Sequence, residues 1–392
     1  MAIGIRYRKF GRLDISCSAL GFGLMRLPTI GVDPANINED EAIKMIRYAV
    51  DHGVNYIDTA YGYHRGKSEV LLGKALQGGY RDRVMVATKM PTWLVKSRED
   101  MDRVLDEQLK RIQTEHVDFY LFHGLNEARW SKMKDLRALD WAEKKIAEGK
   151  VGHLGFSFHD KYEVFKEIID SYQGWAFCQI QYNYVDVDYQ AGTRGLKYAA
   201  NRGLAVVIME PVSGGLLAMN PTPEIQDIWD SVGVKRTPAE WALMWVWNHP
   251  EVSVVLSGMS TMQQVIENVE SACRSGPDIL TVDELNVISQ VRQKYLEYGL
   301  IRCKGCGYCM PCPNGVDIVN IFSLYNEYYR KSGDPVSQEE VIRRYEDLVP
   351  LDRNQQKCKN CGECERKCPQ QLPIRRLLMK SSGVLERNRR KD

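Results

Sequence analysis

The sequence has no long apolar run. The longest, WALMWVW, begins at Trp241 and ends at Trp247, far short of the roughly 20 residues that a membrane-spanning helix needs. The start, MAIGIRYRKFGRLD, has no apolar stretch of the kind found in a secretory leader, so a cytoplasmic location is expected. Charge of one sign is also missing. The 53 basic and 51 acidic residues leave a formal net charge of +2, which provides no global field to draw in nucleic acid or a membrane surface. Only the tail LERNRRKD is locally basic, and it reads as a solvated chain end. Cysteine is scarce over most of the length: of 11 in total, only Cys17, Cys178 and Cys273 precede residue 302. Those three read as small buried hydrophobes. The other eight are packed into two short runs, which in a cytoplasmic chain argues against a disulfide framework and for metal.

What is present fits a globular protein with a full core. The hydrophobic share is 44% and the charged share 27%, and 392 residues accommodate a barrel of about 250 to 300 residues plus a smaller appendage. From Ala19 to about Cys273 short apolar runs alternate with helical patterns. The strand candidates are ALGFGLMRL, NYIDTA, VMVATKM, VDFYLFHG, VGHLGFSF, FCQIQYN, LAVVIMEPV and VSVVLSGM. Between them lie stretches such as DEAIKMIRYAVDHG, SREDMDRVLDEQLKRIQ, DWAEKKIAEGK and TPAEWALMWVWNH, with apolar residues at helical spacing. Eight strand–helix units predict a (β/α)8 TIM barrel rather than an open sheet. IRYRKFGRLDISCS reads as a hairpin across the N-terminal mouth. TVDELNVISQVRQKYLEYG reads as one more helix, capped by Thr281 and stopped by Gly299. The expected division is a barrel over 1–300 and a small ferredoxin-like iron–sulfur domain with a helical insert over 301–392.

In a barrel of this kind the reactive side chains sit at the C-terminal ends of the strands. There the second unit offers Asp58 and Tyr63, the third Lys89 and the fourth His123: an acid, a phenol, an amine and an imidazole on one rim. RGKS brushes against a phosphate loop, but the first glycine of that motif would fall on Tyr61, which excludes it. The run GVNYIDTAYGYHRGKSEVLLGKAL resembles the aldo-keto reductases, and the resemblance covers roughly residues 5 to 272. It implies that Tyr63 is the proton donor to a carbonyl oxygen, supported by Asp58, Lys89 and His123. The chemistry is consistent: a free phenol has a pKa near 10, and a nearby ammonium lowers it.

The same resemblance implies a nicotinamide cofactor. Ser157, Gln179 and Asn183 would hold the nicotinamide amide, with Tyr184 or Tyr182 as a stacking surface. Glu210, Ser213 and Gly215 would lie on the loop over the pyrophosphate, and Ser257, Gly258, Gln264, Glu267 and Asn268 at the adenosine end. Many relatives carry a Lys and an Arg where this chain has Gly258 and Gln264, cations that bind the 2′-phosphate of NADP, so the choice between NAD and NADP stays open. Trp93 and Trp130 are candidates for a substrate pocket or for plain packing.

The two cysteine runs are RCKGCGYCMPCP and KCKNCGECERKCP. Cys303, Cys306, Cys309 and Cys312 precede Pro313, and Cys358, Cys361, Cys364 and Cys368 precede Pro369. The second run fits the bacterial ferredoxin spacing and the first departs by one residue before its last cysteine. Zinc ribbons use two pairs of ligands, whereas each run here has three cysteines at one spacing and a fourth before proline. Both runs resemble two-cluster ferredoxins, in which the last cysteine of each run ligates the other cluster. That resemblance implies one [4Fe–4S] centre on Cys303, Cys306, Cys309 and Cys368, and another on Cys358, Cys361, Cys364 and Cys312. DIVNIFSLYNEYYRKSG and SQEEVIRRYEDL, between the runs, read as helices.

Three functions fit these residues. The first is an oxidoreductase acting on a small carbonyl or alcohol with NAD or NADP, coupled to electron transfer through two clusters, with an external electron carrier as a further partner. The second is a stand-alone NAD(P)H carbonyl reductase whose clusters are structural. The third is a non-catalytic redox sensor or electron-carrier module, which would not need all four rim residues. No flavin fingerprint is present, although a barrel-bound flavin stays open.

Overall fold

In the computed structural model, residues 4–31 and 33–386 are described; most of the basic tail lies outside them. An antiparallel hairpin of β1 (Tyr7–Lys9) and β2 (Ser16–Ser18) comes first. Eight parallel strands follow: β3 (Leu20–Gly23), β4 (Tyr56–Asp58), β5 (Met85–Met90), β6 (Val117–Leu125), β7 (Val151–Phe158), β8 (Phe177–Gln181), β9 (Ala205–Met209) and β10 (Val252–Ser257). They pair in sequence order, and β10 closes the ring on β3. The expected eight-stranded barrel is therefore the observed one. The first strand is shorter than its apolar run, because Leu24–Arg26 turn into a single 3-10 turn.

The helical spacings become helices for the reasons the sequence offers. Residues Glu39–Asp51 start behind Asn38, whose side chain accepts the Glu41 N–H, and three acids fill the first turn. Their buried face is Ala42, Met45, Ile46 and Ala49. Residues Arg98–Ile112 start behind Ser97 in the same way and end on Gln113 in the left-handed region. The hairpin closes the N-terminal mouth. Phe10 is fully buried and packs with Tyr56, Phe119, Phe177 and Leu256 in one apolar cluster, and Arg12 bonds the carbonyls of Gln173 and Trp175 just ahead of β8. Inside the barrel, Gly155 leaves room for Phe177, whose ring lies 2.5 Å from where a Cβ would stand.

By contacts, the chain forms two compact units. One comprises residues 1–211 and 240–280, the other residues 212–239 and 281–392. This partition differs from a cut at residue 300. The segment after β9 and the helix Val282–Glu297 group with the cysteine runs because specific pairs tie them there. Arg236 bonds Glu284, Thr222 meets the Tyr298 hydroxyl at 2.9 Å, and Arg330 donates to the Asn220 carbonyl at 2.7 Å. Thr281 forms a capping box with Glu284, and Gly299 takes a φ of +58°. The two segments read as helical between the runs are Ile318–Arg330 and Pro335–Leu348. They join Ile374–Leu385 around a core that includes Ile321, Phe322, Tyr325, Tyr345 and Leu378. Among the described residues, no helix is long and apolar enough to cross a membrane.

Candidate active site

Asp58 ends β4, Lys89 is the penultimate residue of β5, and His123 lies two residues from the end of β6. Barrel geometry thus brings the three side chains onto adjacent strands. Lys89 Nζ donates to Asp58 Oδ1 at 2.6 Å and to the Thr59 carbonyl at 2.7 Å. Both partners are almost wholly buried. Burial raises the Asp58 carboxyl and lowers the Lys89 ammonium, and each is partly offset by the other's charge. Lys89 Nζ stands 5.0 Å from the centre of the Tyr63 ring, and the His123 ring meets Tyr63 edge-on at 6.1 Å. Burial first, and then the neighbouring Lys89 cation, hold His123 well below the ordinary imidazole value, so the ring is neutral near pH 7. Its Nδ1 and the Asp58 Oδ2 are buried with no hydrogen-bond partner among the described residues.

Tyr63 opens a 3-10 turn whose next two residues, His64 and Arg65, have φ of +50° and +52°. Left-handed backbone at two consecutive non-glycine residues costs energy and persists only where the surroundings enforce it. Here His64 does the enforcing. Its Nδ1 lies 2.6 Å from the Pro34 carbonyl, and its Nε2 accepts the Leu27 N–H at 3.2 Å. Behind Lys89, Gln108 Nε2 donates to Glu69, to Thr88 and to the Lys89 carbonyl, while its Oε1 accepts from Tyr120. Thr88 and Arg111 also donate to Glu69. This saturated network fixes the backbone that carries Lys89. Neither His64 nor the Glu69–Gln108 pair stands out in the sequence, although His64 and Glu69 lie within the quoted rim run and Gln108 on the helix Arg98–Ile112 that follows β5.

The expected cofactor positions divide between the two units. In the first, Ser157 accepts the Gly124 N–H at 2.7 Å, which leaves its own hydroxyl proton available. Gln179 is buried with its Oε1 unpartnered among the described residues. Asn183 is committed inside the protein: it accepts from Val185 and Asp186 and donates to the Glu210 carbonyl at 3.1 Å. Glu210 takes a φ of +58°. Tyr182 packs on Trp245 and bonds Thr193, and Tyr184 also meets Trp245. Ser257 accepts from Asn268 at 3.0 Å, Gln264 accepts the Ser260 N–H, and Glu267 bonds Gln263. A Cβ on Gly258 would meet the stem of Arg26 at 3.3 Å, so an arginine lies beside the position where a cation is missing. Ser213 and Gly215 belong to the second unit, with φ of +52° and +99°. Of the two tryptophans, Trp93 is partly exposed and lies 5.0 Å from His123. Trp130 is buried against Trp175 and is a packing residue.

The second unit gathers the cysteines. Cys303, Cys306, Cys309 and Cys368 line one cavity, so the last cysteine of the second run joins the first three of the first run. Burial raises the Cys309 thiol to about 12, and the sulfurs of Cys306, Cys303 and Cys368 add to the shift. Crowded, desolvated thiols of this kind are stabilised by binding cations as thiolates. Cys312 is close enough to Cys364 to raise its thiol as well, and Asn314 reaches Cys361 Sγ at 3.8 Å. All 11 cysteines are free of disulfides. No three acidic, histidine or cysteine side chains among the described residues converge tightly enough for a single metal ion. Four sulfurs around a cavity suit a cluster of several irons better than one ion.

Residues 19–278 match the aldo/keto reductase family. The chain belongs to that family. Residues 302–373 match the 4Fe-4S dicluster domain, so this aldo-keto reductase carries a C-terminal ferredoxin-like iron–sulfur domain and is an oxidoreductase. Among curated proteins it is similar to a 6-dehydroglucose reductase of Novosphingobium aromaticivorans, with 27% identity over 68% of this chain and 90% of that protein. It is also similar to an L-galactose dehydrogenase of Arabidopsis thaliana, with 27% identity over 72% and 94%. Among solved structures, the aldo-keto reductase AKR11C1 of Bacillus halodurans in its holo form aligns with a TM-score of 0.59 and 26% identity over 73% of this chain and 96% of that one.

The neutral His123 of this aldo-keto reductase has a consequence for stability. An unfolded histidine takes up a proton below about pH 6.5, whereas the folded site resists it. Stability contributed by the neutral ring is therefore present above that pH and is lost as pH falls. Asp58 and Glu69 shift upward and work in the opposite sense nearer the carboxylate range, so the comparison must be a difference. Between pH 7.5 and pH 5 the native protein should lose more stability to urea than His123→Gln does. Equal losses would show that His123 protonates freely in the fold.

Proposed function

We propose that this oxidoreductase reduces a small carbonyl compound, or oxidises the corresponding alcohol, with a nicotinamide dinucleotide in the barrel. The observation that carries the reading is the buried Asp58–Lys89 pair, with Lys89 Nζ 5.0 Å from the Tyr63 ring and neutral His123 beside it. A bound nicotinamide supplies the hydride. The chain's own residues supply the proton and its timing. Tyr63 donates its hydroxyl proton to the carbonyl oxygen, and the Lys89 ammonium stabilises the phenolate left behind. Asp58 holds Lys89 in place, and the neutral imidazole of His123 orients the substrate oxygen without adding a second cation. The Gln179 Oε1, which has no partner among the described residues, and the Ser157 hydroxyl fit the nicotinamide amide.

In the second domain, the gathered thiols fit two [4Fe–4S] clusters, on Cys303, Cys306, Cys309 and Cys368 and on Cys358, Cys361, Cys364 and Cys312. Such clusters supply single-electron transfer. We favour coupling to the barrel, with a soluble carrier as the outside partner, over a purely structural role, because two singly reduced clusters hold the two electrons of one hydride equivalent. Reduced clusters and a nicotinamide pool are the conditions of the cytoplasm, where we place the protein. The carbonyl reading is tested with dinucleotide deuterated at the transferable position and a simple aldehyde under anaerobic conditions. The expected product is the alcohol with deuterium on the carbinol carbon and one dinucleotide oxidised per alcohol. Binding of the dinucleotide without deuterium transfer to any aldehyde or ketone would overturn it.

A further inference from the structure

We infer that the outside electron carrier is an acidic protein, and that it docks on a basic face of the second unit around Cys361. The inference rests on the cluster reading above, and it adds the chemistry of the carrier and its place of contact. One of the two ligand sets is nearer to solvent. Cys361 is the one exposed cysteine among the described residues. In the other set no cysteine is exposed, and Cys303, Cys306, Cys309 and Cys368 share their cavity with Ile318, Phe322, Leu372 and Ile374. An electron crosses between proteins where a redox centre comes close to the surface, so the set with Cys361 is the port.

The chain around this port is basic. Eight of the 53 basic residues but only two of the 51 acidic ones lie between Arg353 and Lys380, so the remainder of the chain is net acidic and this stretch is the opposite. Arg375 Nη1 donates to the Asn360 carbonyl at 3.2 Å, and the guanidinium groups of Arg366 and Arg375 lie 3.8 and 3.9 Å from where a Cβ on Gly362 would stand. Both acids are already answered, Glu363 by Arg366 and Glu365 by Arg375 at 2.7 Å. Arg375 also stands beside the sulfurs of Cys358 and Cys364, which makes it the cation that serves the cluster. Lys357, Lys359, Lys367 and Arg376 are additional to it: all four are exposed and enter no ion pair among the described residues. Set against them is a single exposed acid, Asp352.

The same face offers an apolar contact. On the helix Ile374–Leu385, Arg376, Met379 and Lys380 are all exposed, Met379 at 67%, and residues three and four apart share one side of a helix. Methionine and arginine are enriched where proteins meet. Electron-transfer encounters bury little area, and opposite charges speed their formation and set their orientation. A few cations around one exposed methionine are therefore sufficient for a transient acidic partner.

The test uses anaerobic holoprotein with two probes, an acidic plant-type [2Fe–2S] ferredoxin and a basic c-type cytochrome. Electron exchange with the clusters is followed by stopped flow, in both directions for the ferredoxin. The second-order rate with ferredoxin should fall steeply as salt is raised. At an ionic strength of about 0.1 M, where charges act over about 10 Å, Lys359→Glu with Arg376→Glu should lower that rate by about 10- to 100-fold and raise the rate with cytochrome. Reversing two exposed lysines of the first unit, Lys44→Glu with Lys110→Glu, should leave both rates within about twofold. Iron content and the electron paramagnetic resonance spectrum report whether the clusters are intact; if Lys359→Glu loses iron, Arg376→Glu alone carries the test. Opposite responses of the two probes identify docking by charge. A shift of both in the same direction would mean that the substitutions act on the cluster itself, and it overturns the proposal. So does a ferredoxin rate that ignores the substitutions or responds equally to the Lys44 and Lys110 pair. If ferredoxin docks as described and the reduced clusters still form no NAD(P)H, the docking face stands and the coupling to the barrel falls.

Discussion

Tyr63→Phe is expected to lower carbonyl reduction by about two to four orders of magnitude, the usual worth of a positioned proton donor, while leaving dinucleotide affinity unchanged. The reason lies in what the substitution keeps. The ring stays on its 3-10 turn, still anchored through His64 to Leu27 and Pro34, still edge-on to His123 and still under the Lys89 ammonium. Only the hydroxyl is removed. The transferred hydride then generates an oxyanion with no proton at hand, beside a lysine whose charge is already committed to Asp58 at 2.6 Å. The loss should appear in kcat and not in the dissociation constant of the dinucleotide. Full turnover by the phenylalanine variant would remove Tyr63 from the chemistry and move attention to water held near His123.

Much of this architecture is legible in the sequence because its signals are local. Strands such as VMVATKM and VGHLGFSF are apolar on both faces, as buried parallel strands are. The strand-helix alternation counts to eight, and the barrel then places Asp58, Lys89 and His123 on adjacent strands with no further information. What is not legible depends on residues distant in sequence. The left-handed backbone at His64 and Arg65 has no glycine to announce it; it is enforced by a histidine reaching residues 27 and 34. The support behind Lys89 depends on Gln108 meeting Glu69 across 39 positions. The grouping of residues 212–239 with the cysteine runs depends on pairs such as Ser213 with Lys304, separated by 91 positions. No composition shift marks that segment.

The cysteine spacing is informative in a different way. It is a ligand pattern, and it specifies chemistry more directly than it specifies backbone. The structure brings Cys368 to the cavity of Cys303, Cys306 and Cys309 through the helices Ile318–Arg330 and Pro335–Leu348, which a minimal ferredoxin would not need. Their core residues Phe322, Tyr325 and Tyr345 give the domain apolar burial that its cysteine loops alone could not provide.

In the function proposed above, barrel and clusters form one electron-transfer enzyme. A hydride equivalent is two electrons and a proton, so two singly reduced clusters hold enough electrons to convert one NAD(P)+ to NAD(P)H. The most direct test begins with anaerobic protein whose clusters have been chemically reduced, because ferredoxin-type potentials can lie too low for a nicotinamide to reduce them. The protein is mixed with NAD or NADP while the visible iron–sulfur absorbance is followed. Return of the oxidised-cluster absorbance in step with NAD(P)H formation, one dinucleotide for each two clusters reoxidised, is the expected result. Clusters that stay reduced while the same preparation still turns over an aldehyde with NAD(P)H would contradict it, and would leave a barrel enzyme working alone beside a structural iron–sulfur domain.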